Sequence, residues 1–201
     1  IPSQCRVSLE RDPIRVLHDR ERTRKEGIPE SQDPKRIRGE ICMNQRFKFA
    51  QSSAVYFNFT LEYAIKNLSF LRYDGIEIWG GRPHAYRDDL LEDSAKLKAL
   101  IRDSGLEVCN FIPAQFRYPT LLCSENERVR QDSVGYIASA LRNAFMLGSP
   151  SISLCPGMVP WDLDLQRGRR KLVQSLKDIC HINESFGLKL LIEPAHRFES
   201  N

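Results

Sequence analysis

The chain lacks the marks of several protein classes. No apolar run approaches the roughly 18 residues of a membrane span, and no succession of basic, apolar and small-residue regions opens it as a signal peptide would. No CxxC pair occurs among the six cysteines, Cys5, Cys42, Cys109, Cys123, Cys155 and Cys180, so no structural zinc is expected. Scattered thiols fit a reducing cytoplasm, with Cys109 and Cys155 packed as small hydrophobes inside apolar runs. No GxGxxG or Walker pattern follows any apolar run, which weakens nucleotide binding. An excess of one charge is missing too. Thirty basic and 26 acidic residues are interspersed to a net charge of +4, so neither nucleic acid nor membrane is expected as a partner.

What is present is a chain of 201 residues, 41% hydrophobic, enough for one good core. It is short for a closed eight-stranded α/β barrel, which typically needs about 250 residues. Residues 1–42 stand apart: charges of both signs, Pro2, Pro13, Pro29 and Pro34, and no sustained period. Such a stretch has too little apolar surface to offset its ordering entropy, and we expect a disordered or non-native extension. Met43 directly precedes Asn44–Ala50, which alternates like a first strand. Just upstream, Arg38-Gly39-Glu40 would be encoded by AGG-GGN-GAR, a purine run resembling a bacterial ribosome-binding site. Translation is therefore expected to begin at Met43, with residues 43–201 as the folded domain.

From there strands and helices alternate. Short apolar runs bounded by Gly, Pro or Asn predict buried parallel strands at Arg46–Gln51, Gly75–Trp79, Glu107–Phe111, Ser151–Cys155 and Lys189–Glu193. Between them Thr60–Phe70 sets Leu61, Ala64, Ile65 and Leu68 on one helical face, and Asp93–Ser104 does so with Leu97, Leu100 and Ile101. Ser124–Leu147 opens with Ser124 and Glu127 as a capping box, and Asp164–Phe186 carries Leu172, Val173, Leu176, Ile179 and Cys180. Gly105, Gly148 and Gly187 each end a helix and lead at once into a strand. Right-handed crossovers make this succession a parallel sheet of about five strands and four helices: an open doubly wound domain or the first part of a barrel.

Ligands of parallel α/β folds bind at the carboxyl ends of the strands. Here those ends fall at Gln51–Tyr56, Trp79–Tyr86, Phe111–Tyr118, Cys155–Trp161 and Glu193–Asn201. Their aromatic, His and Arg residues suit a polar organic substrate with stacking faces, such as a sugar, although such residues also serve as packing. Glu193 closes the run Leu188–Ile192 and is stopped by Pro194, which delivers a carboxylate to that edge; it could equally cap a turn. Glu199 lies in the same loop and could share acid–base duty. His196 could ligate a metal or simply be solvated. His84 follows Arg82-Pro83 on what reads as an exposed, stiff segment, placed to bond a substrate hydroxyl. Glu77 could face the barrel interior or the helices.

At Tyr73–Ala85 the string YDGIEIWGGRPHA resembles the sugar isomerase/epimerase barrels of the xylose-isomerase-like superfamily, and within it the fructoselysine 3-epimerases. LLIEPAHRFESN (Leu190–Asn201) is similar to that family's fifth strand and loop. The resemblance runs from about Phe47 to Asn201. It implies an incomplete (β/α)8 TIM barrel and a divalent-metal (manganese-like) ketose 3-epimerase acting on a small sugar or ketoamine, with a homo-oligomer of the family's kind. It implies further that Glu193 ligates the metal and serves as one of two acid–base carboxylates, and that Glu199 contacts substrate hydroxyls. Trp79, Arg82 and His84 belong to the matching motif and are expected to bind substrate. The family's other metal ligands come from later strands, so the chain by itself is expected to be inactive. Alternatives are another sugar-phosphate isomerase or endonuclease-IV-like enzyme on the same scaffold, or a non-catalytic half-barrel that associates with a partner.

Overall fold

The β-exit segments lie on one sheet. The structure, a computed structural model, describes residues 47–115, 120–196 and 200. The expected extension over residues 1–42, the start at Met43 and the role of Glu199 lie outside the described residues. Every element below belongs to one compact unit, Lys48–Asn201.

Among the described residues five strands run parallel in chain order: β1 (Ala50–Ser52), β2 (Gly75–Gly80), β3 (Glu107–Pro113), β4 (Ser151–Leu154) and β5 (Lys189–Ile192). Four α-helices alternate with them: α1 (Leu61–Phe70), α2 (Ser94–Asp103), α3 (Glu127–Leu147) and α4 (Leu165–Asn183). Short 3-10 turns at Ser53–Tyr56 and Arg87–Leu90 follow β1 and β2. This is the expected partial barrel. β1 is shorter than the expected Arg46–Gln51, although Phe49 already accepts from the Asp74 and Gly75 N–H groups at 2.8 and 3.1 Å.

The helix boundaries follow local chemistry. Thr60 Oγ1 accepts the Tyr63 N–H at 3.2 Å and opens α1; Asp164 Oδ1 accepts the Gln166 N–H at 2.8 Å and opens α4. Gly105, Gly148 and Gly187 sit at φ 71°, 82° and 67°, the left-handed turn that ends a helix and that glycine adopts without strain. The expected capping box at Ser124 and Glu127 does not form. Asn126 Oδ1 caps α3 through the Arg128 N–H at 3.1 Å, because the Glu127 carboxylate turns instead to Arg130 at 3.0 Å. Arg130 is 1% exposed and also reaches Asp178 of α4 at 2.7 Å, so it staples the two helices. Its guanidinium holds the Glu127 carboxyl well below the usual carboxylate range.

Right-handed crossovers between neighbouring parallel strands put all four helices on one side of the sheet. Ile76, Ile78, Phe111, Ile152 and Leu154 point to that side and are fully buried against Ile65 and Leu68 of α1, Ile137 and Leu141 of α3 and Ile179 of α4. The expected faces of α1 and α2 hold. On α4, Ile179 is buried but Val173 and Cys180 are exposed, since the stripe that meets α3 and the sheet is narrower than the pattern implied.

The β2–β3 ladder carries a one-residue irregularity. Ile76 pairs with Val108 but Glu77 pairs with Asn110, so Cys109 is extra. Cys109 is therefore exposed rather than packed as a small hydrophobe, and Phe111 is returned to the helix side opposite Ile78.

Candidate functional site

Alternation along the strands sends the remaining side chains to the other face, and that face is polar. Its first row runs in register through Ser52, Glu77 and Asn110 to Ser151 and Lys189. Asn110 links the row: its amide donates to Glu77 Oε2 and to Ser153 Oγ, both at 2.9 Å, and its carbonyl accepts from Ser151 Oγ at 2.8 Å. Glu77 thus lies on the inner face, away from the helices. The next row toward the carboxyl rim holds Trp79 beside Ile112 and Ser153 beside Leu191.

One step further, the pairing of Leu154 with Ile192 brings Cys155 opposite Glu193. The Glu193 N–H donates to the Leu154 carbonyl at 2.9 Å. Glu193 shares the parity of Leu191 and so stands on the polar face, exposed to solvent, at the same rim as Trp79.

The β2 exit is the more built-up end. Trp79 meets Phe57 edge-on with ring centroids 4.8 Å apart and His84 at 5.8 Å. A Cβ on Gly81 would lie 2.3 Å from the indole, so only glycine lets the turn pass over the ring. The Tyr136 hydroxyl reaches up from α3, accepts the Ala114 N–H at 2.9 Å and donates to Gly80 O at 3.1 Å. It ties the exits of β2 and β3 together from below.

His84 departs from the expectation of an exposed segment. It is 5% exposed, with Nδ1 3.1 Å from Ser53 Oγ and Nε2 3.1 Å from the Phe59 carbonyl. Ser53 Oγ also accepts the Trp79 N–H at 2.9 Å. The consistent assignment has Nε2–H donating to Phe59 O and Nδ1 accepting from the Ser53 hydroxyl. Both ring nitrogens are engaged, and burial pushes the imidazole pKa below its ordinary value. The sequence showed Arg82-Pro83 ahead of it and gave no sign that the β1 turn would fold over it. Arg82 itself is exposed, bound by Nη2 to Asp89 at 3.1 Å and stacked over the Tyr86 ring at 4.7 Å.

The structure therefore brings Trp79, His84 and Arg82 together at the β2 exit. It sets Glu193 on the same rim at β5, and His196 lies exposed in the loop beyond. Among the described residues, no three His, Cys, Asp or Glu side chains converge to hold a metal ion. Glu193 alone does not supply a divalent-metal site, so the described residues do not fit that cofactor by themselves. A cavity of about 630 Å³ lined by Lys98, Phe145, Phe186 and Leu188 opens at the opposite ends of β4 and β5; none of the candidate residues reaches it. Among the described residues no helix is long and apolar enough to cross a membrane.

A parallel sheet in chain order with its helices on one side is part of an α/β barrel, and the model of the xylose isomerase-like TIM barrel family matches residues 65–201. The chain belongs to the xylose isomerase-like TIM barrel family. It is 33% identical over 150 residues to fructoselysine 3-epimerase of Escherichia coli O157:H7, covering 70% of this chain and 52% of that protein. The corresponding protein of Shigella flexneri matches at 33% over 150 residues, 70% of this chain and 51% of that one. Among solved structures, a D-tagatose 3-epimerase-like protein superposes with a TM-score of 0.62 at 26% identity, over 75% of this chain and 55% of that one. D-psicose 3-epimerase, solved in the presence of D-fructose, gives 0.63 at 19%, over 77% and 55%, a likeness of fold. The chain spans about half the length of the curated relatives it matches. Within the xylose isomerase-like barrel, the five strands described here are consecutive and neighbouring.

Proposed function

We propose that this chain carries part of the active face of a ketose 3-epimerase whose substrate is a fructose-type ketoamine. The observation that carries the reading is Glu193 at the β5 exit, on the polar face and on the same rim as Trp79, in a chain related to fructoselysine 3-epimerase.

The C3 hydrogen of such a substrate lies next to the C2 carbonyl. Glu193 takes that proton; the C3–H electron pair becomes the C2–C3 double bond, and the carbonyl pair moves to O2, giving an enediolate. Return of a proton to the opposite face of C3 inverts it, and this needs a second acid–base group facing Glu193. A bound divalent metal of the manganese kind would polarise the ketone. Because the described residues do not fit such an ion, the role of Glu193 here rests on proton transfer alone.

Trp79 offers its indole face to the C–H side of the sugar, and exposed Arg82 can exchange its weak surface pair with Asp89 for a substrate oxygen. Glu199 is assigned a hydroxyl contact from the loop after β5. His84 is given a different part from the one expected: it holds the β1 turn and, through Ser53, the Trp79 backbone, so it positions the stacking surface. The chain alone is expected not to complete the inversion.

Deuterium uptake at C3 of a fructose-type ketoamine in D2O tests the proposal. Uptake catalysed by the chain, or by the E. coli relative where the chain is silent, should vanish in Glu193→Gln or its equivalent. Uptake that persists removes Glu193 from the chemistry. Manganese should leave the melting temperature of the chain within about one degree; a rise of several degrees that disappears in Glu193→Ala would mean that the described residues do hold the ion.

A second reading, a non-catalytic sheet completed by a partner chain, draws on β5. Ile192 has the parity of the core yet is 50% exposed, and Leu191 is 44% exposed. Size-exclusion chromatography separates the two: a stable dimer with cooperative melting favours association.

A further inference from the structure

At the carboxyl rim β3 and β4 end level with one another, Pro113 beside Leu154. The Ala114 N–H is taken by the Tyr136 hydroxyl at 2.9 Å, and the β3–β4 ladder is marked by Phe111 opposite Ile152. Just past β4, the backbone of Cys155 lies level with Ala114, whose N–H has gone to Tyr136. The Gln115 side chain serves that backbone instead. Its Oε1 accepts the Cys155 N–H at 2.9 Å and its Nε2 donates to the Cys155 carbonyl at 3.3 Å, the acceptor and donor that two residues of a neighbouring parallel strand would offer. Gln115 is 7% exposed, and its own backbone is fixed on both sides, by its N–H to Pro113 O at 2.9 Å and by Thr120 Oγ1 to its carbonyl at 3.3 Å.

The peptide unit that Gln115 holds is the one that holds Glu193. Its N–H, on Cys155, goes to Gln115; its C=O, on Leu154, accepts the Glu193 N–H at 2.9 Å. The two bonds leave opposite ends of one rigid plane, so rotation of that plane breaks both, and each polarises the other. We infer that Gln115 is a positioning residue for Glu193: its amide continues the hydrogen-bond ladder by one step and fixes the peptide from which the Glu193 backbone hangs. Its consequence for catalysis rests on the proton-transfer role proposed for Glu193; its structural content does not.

Residue-resolved amide hydrogen exchange on the full chain tests it. In Gln115→Met, which keeps the length of the side chain and removes both polar ends, the Cys155 and Glu193 amides should exchange about tenfold faster or more. Ile78 and Phe111, in the core strands, should keep their wild-type rates. Gln115→Glu retains an oxygen for the Cys155 N–H and should restore protection at both rim amides. An unchanged Glu193 rate in Gln115→Met overturns the inference, and so does a Gln115→Glu variant that behaves like Gln115→Met. If Gln115→Met does not fold, Gln115→Glu decides alone: protected Cys155 and Glu193 amides uphold the inference, and unprotected ones refute it. Because this readout needs no turnover, a failed deuterium-uptake experiment leaves it standing and a failed exchange experiment leaves the epimerase reading standing.

Discussion

β2 and β5 deliver their ends to one rim but are held there in different ways. β2 has a strand on either side, two isoleucines at zero exposure beneath it, and an exit closed by Phe57, Trp79 and His84. Among the described residues β5 has a strand on one side only, and its Leu191 and Ile192 are about half open to solvent. Side-chain burial therefore fixes the aromatic end of the site. The acidic end is fixed by backbone hydrogen bonds, from Lys189 N–H to Pro150 O and Glu193 N–H to Leu154 O, with little apolar packing behind them. The carboxylate to which proton transfer is assigned in the proposal thus sits on a part of the sheet with low local stability, beside a rigid neighbour.

The largest test of this contrast is Ile78→Ala, which should cost about 2–5 kcal/mol in urea unfolding by leaving a void among α1, α3 and Phe111. Gly81→Ala comes next, at about 1–3 kcal/mol, because the added methyl must displace the indole or the turn. Loss of the Trp79–Phe57 edge contact should then show in the fluorescence spectrum. An effect of acid follows. The folded-state pKa of His84 lies below its unfolded value of about 6.5, so the unfolded chain binds the proton more readily. Stability should be fully present above about pH 6.5 and fall as the pH drops from there toward the folded pKa. That slope should flatten in His84→Asn; an equal slope in the variant would take His84 out of the account. Smallest is Ile192→Ala, expected below about 1 kcal/mol, since half of that side chain is already in water. Should Ile192→Ala cost as much as Ile78→Ala, β5 is covered in solution and the contrast between the two strands fails.

The β/α succession was legible because each helix-to-strand return carries a glycine and each strand a short apolar run. The three caps have the positive φ that made them readable. The inner face was less so. Whether Glu77 faces the helices depends on strand parity, and the irregularity at Cys109 breaks the count of two within β3. His84 was misplaced because its burial comes from the β1 turn, which is 25 to 31 residues away in sequence. Ser124 gave way to Asn126 because a buried arginine competes for Glu127. Gln115 left no local signal at all. Its bonds go to the backbone of Cys155, 40 residues away in sequence, and no window around residue 115 contains that fact.

The surplus residue in β3 acts as a one-step clutch between two linings. Upstream of Cys109, odd positions would belong with the wet side and even ones with the oily side; after it, Asn110 and Phe111 have swapped those memberships. Excising that single cysteine should therefore leave both linings as they are, with Asn110 following Val108 directly and still opposite Glu77, and Phe111 still opposite Ile78. Straightening the strand with the cysteine kept would instead push a phenyl ring to the wet side and an amide into the hydrocarbon interior. Alignments that place gaps in this segment by residue similarity alone will turn the strand inside out.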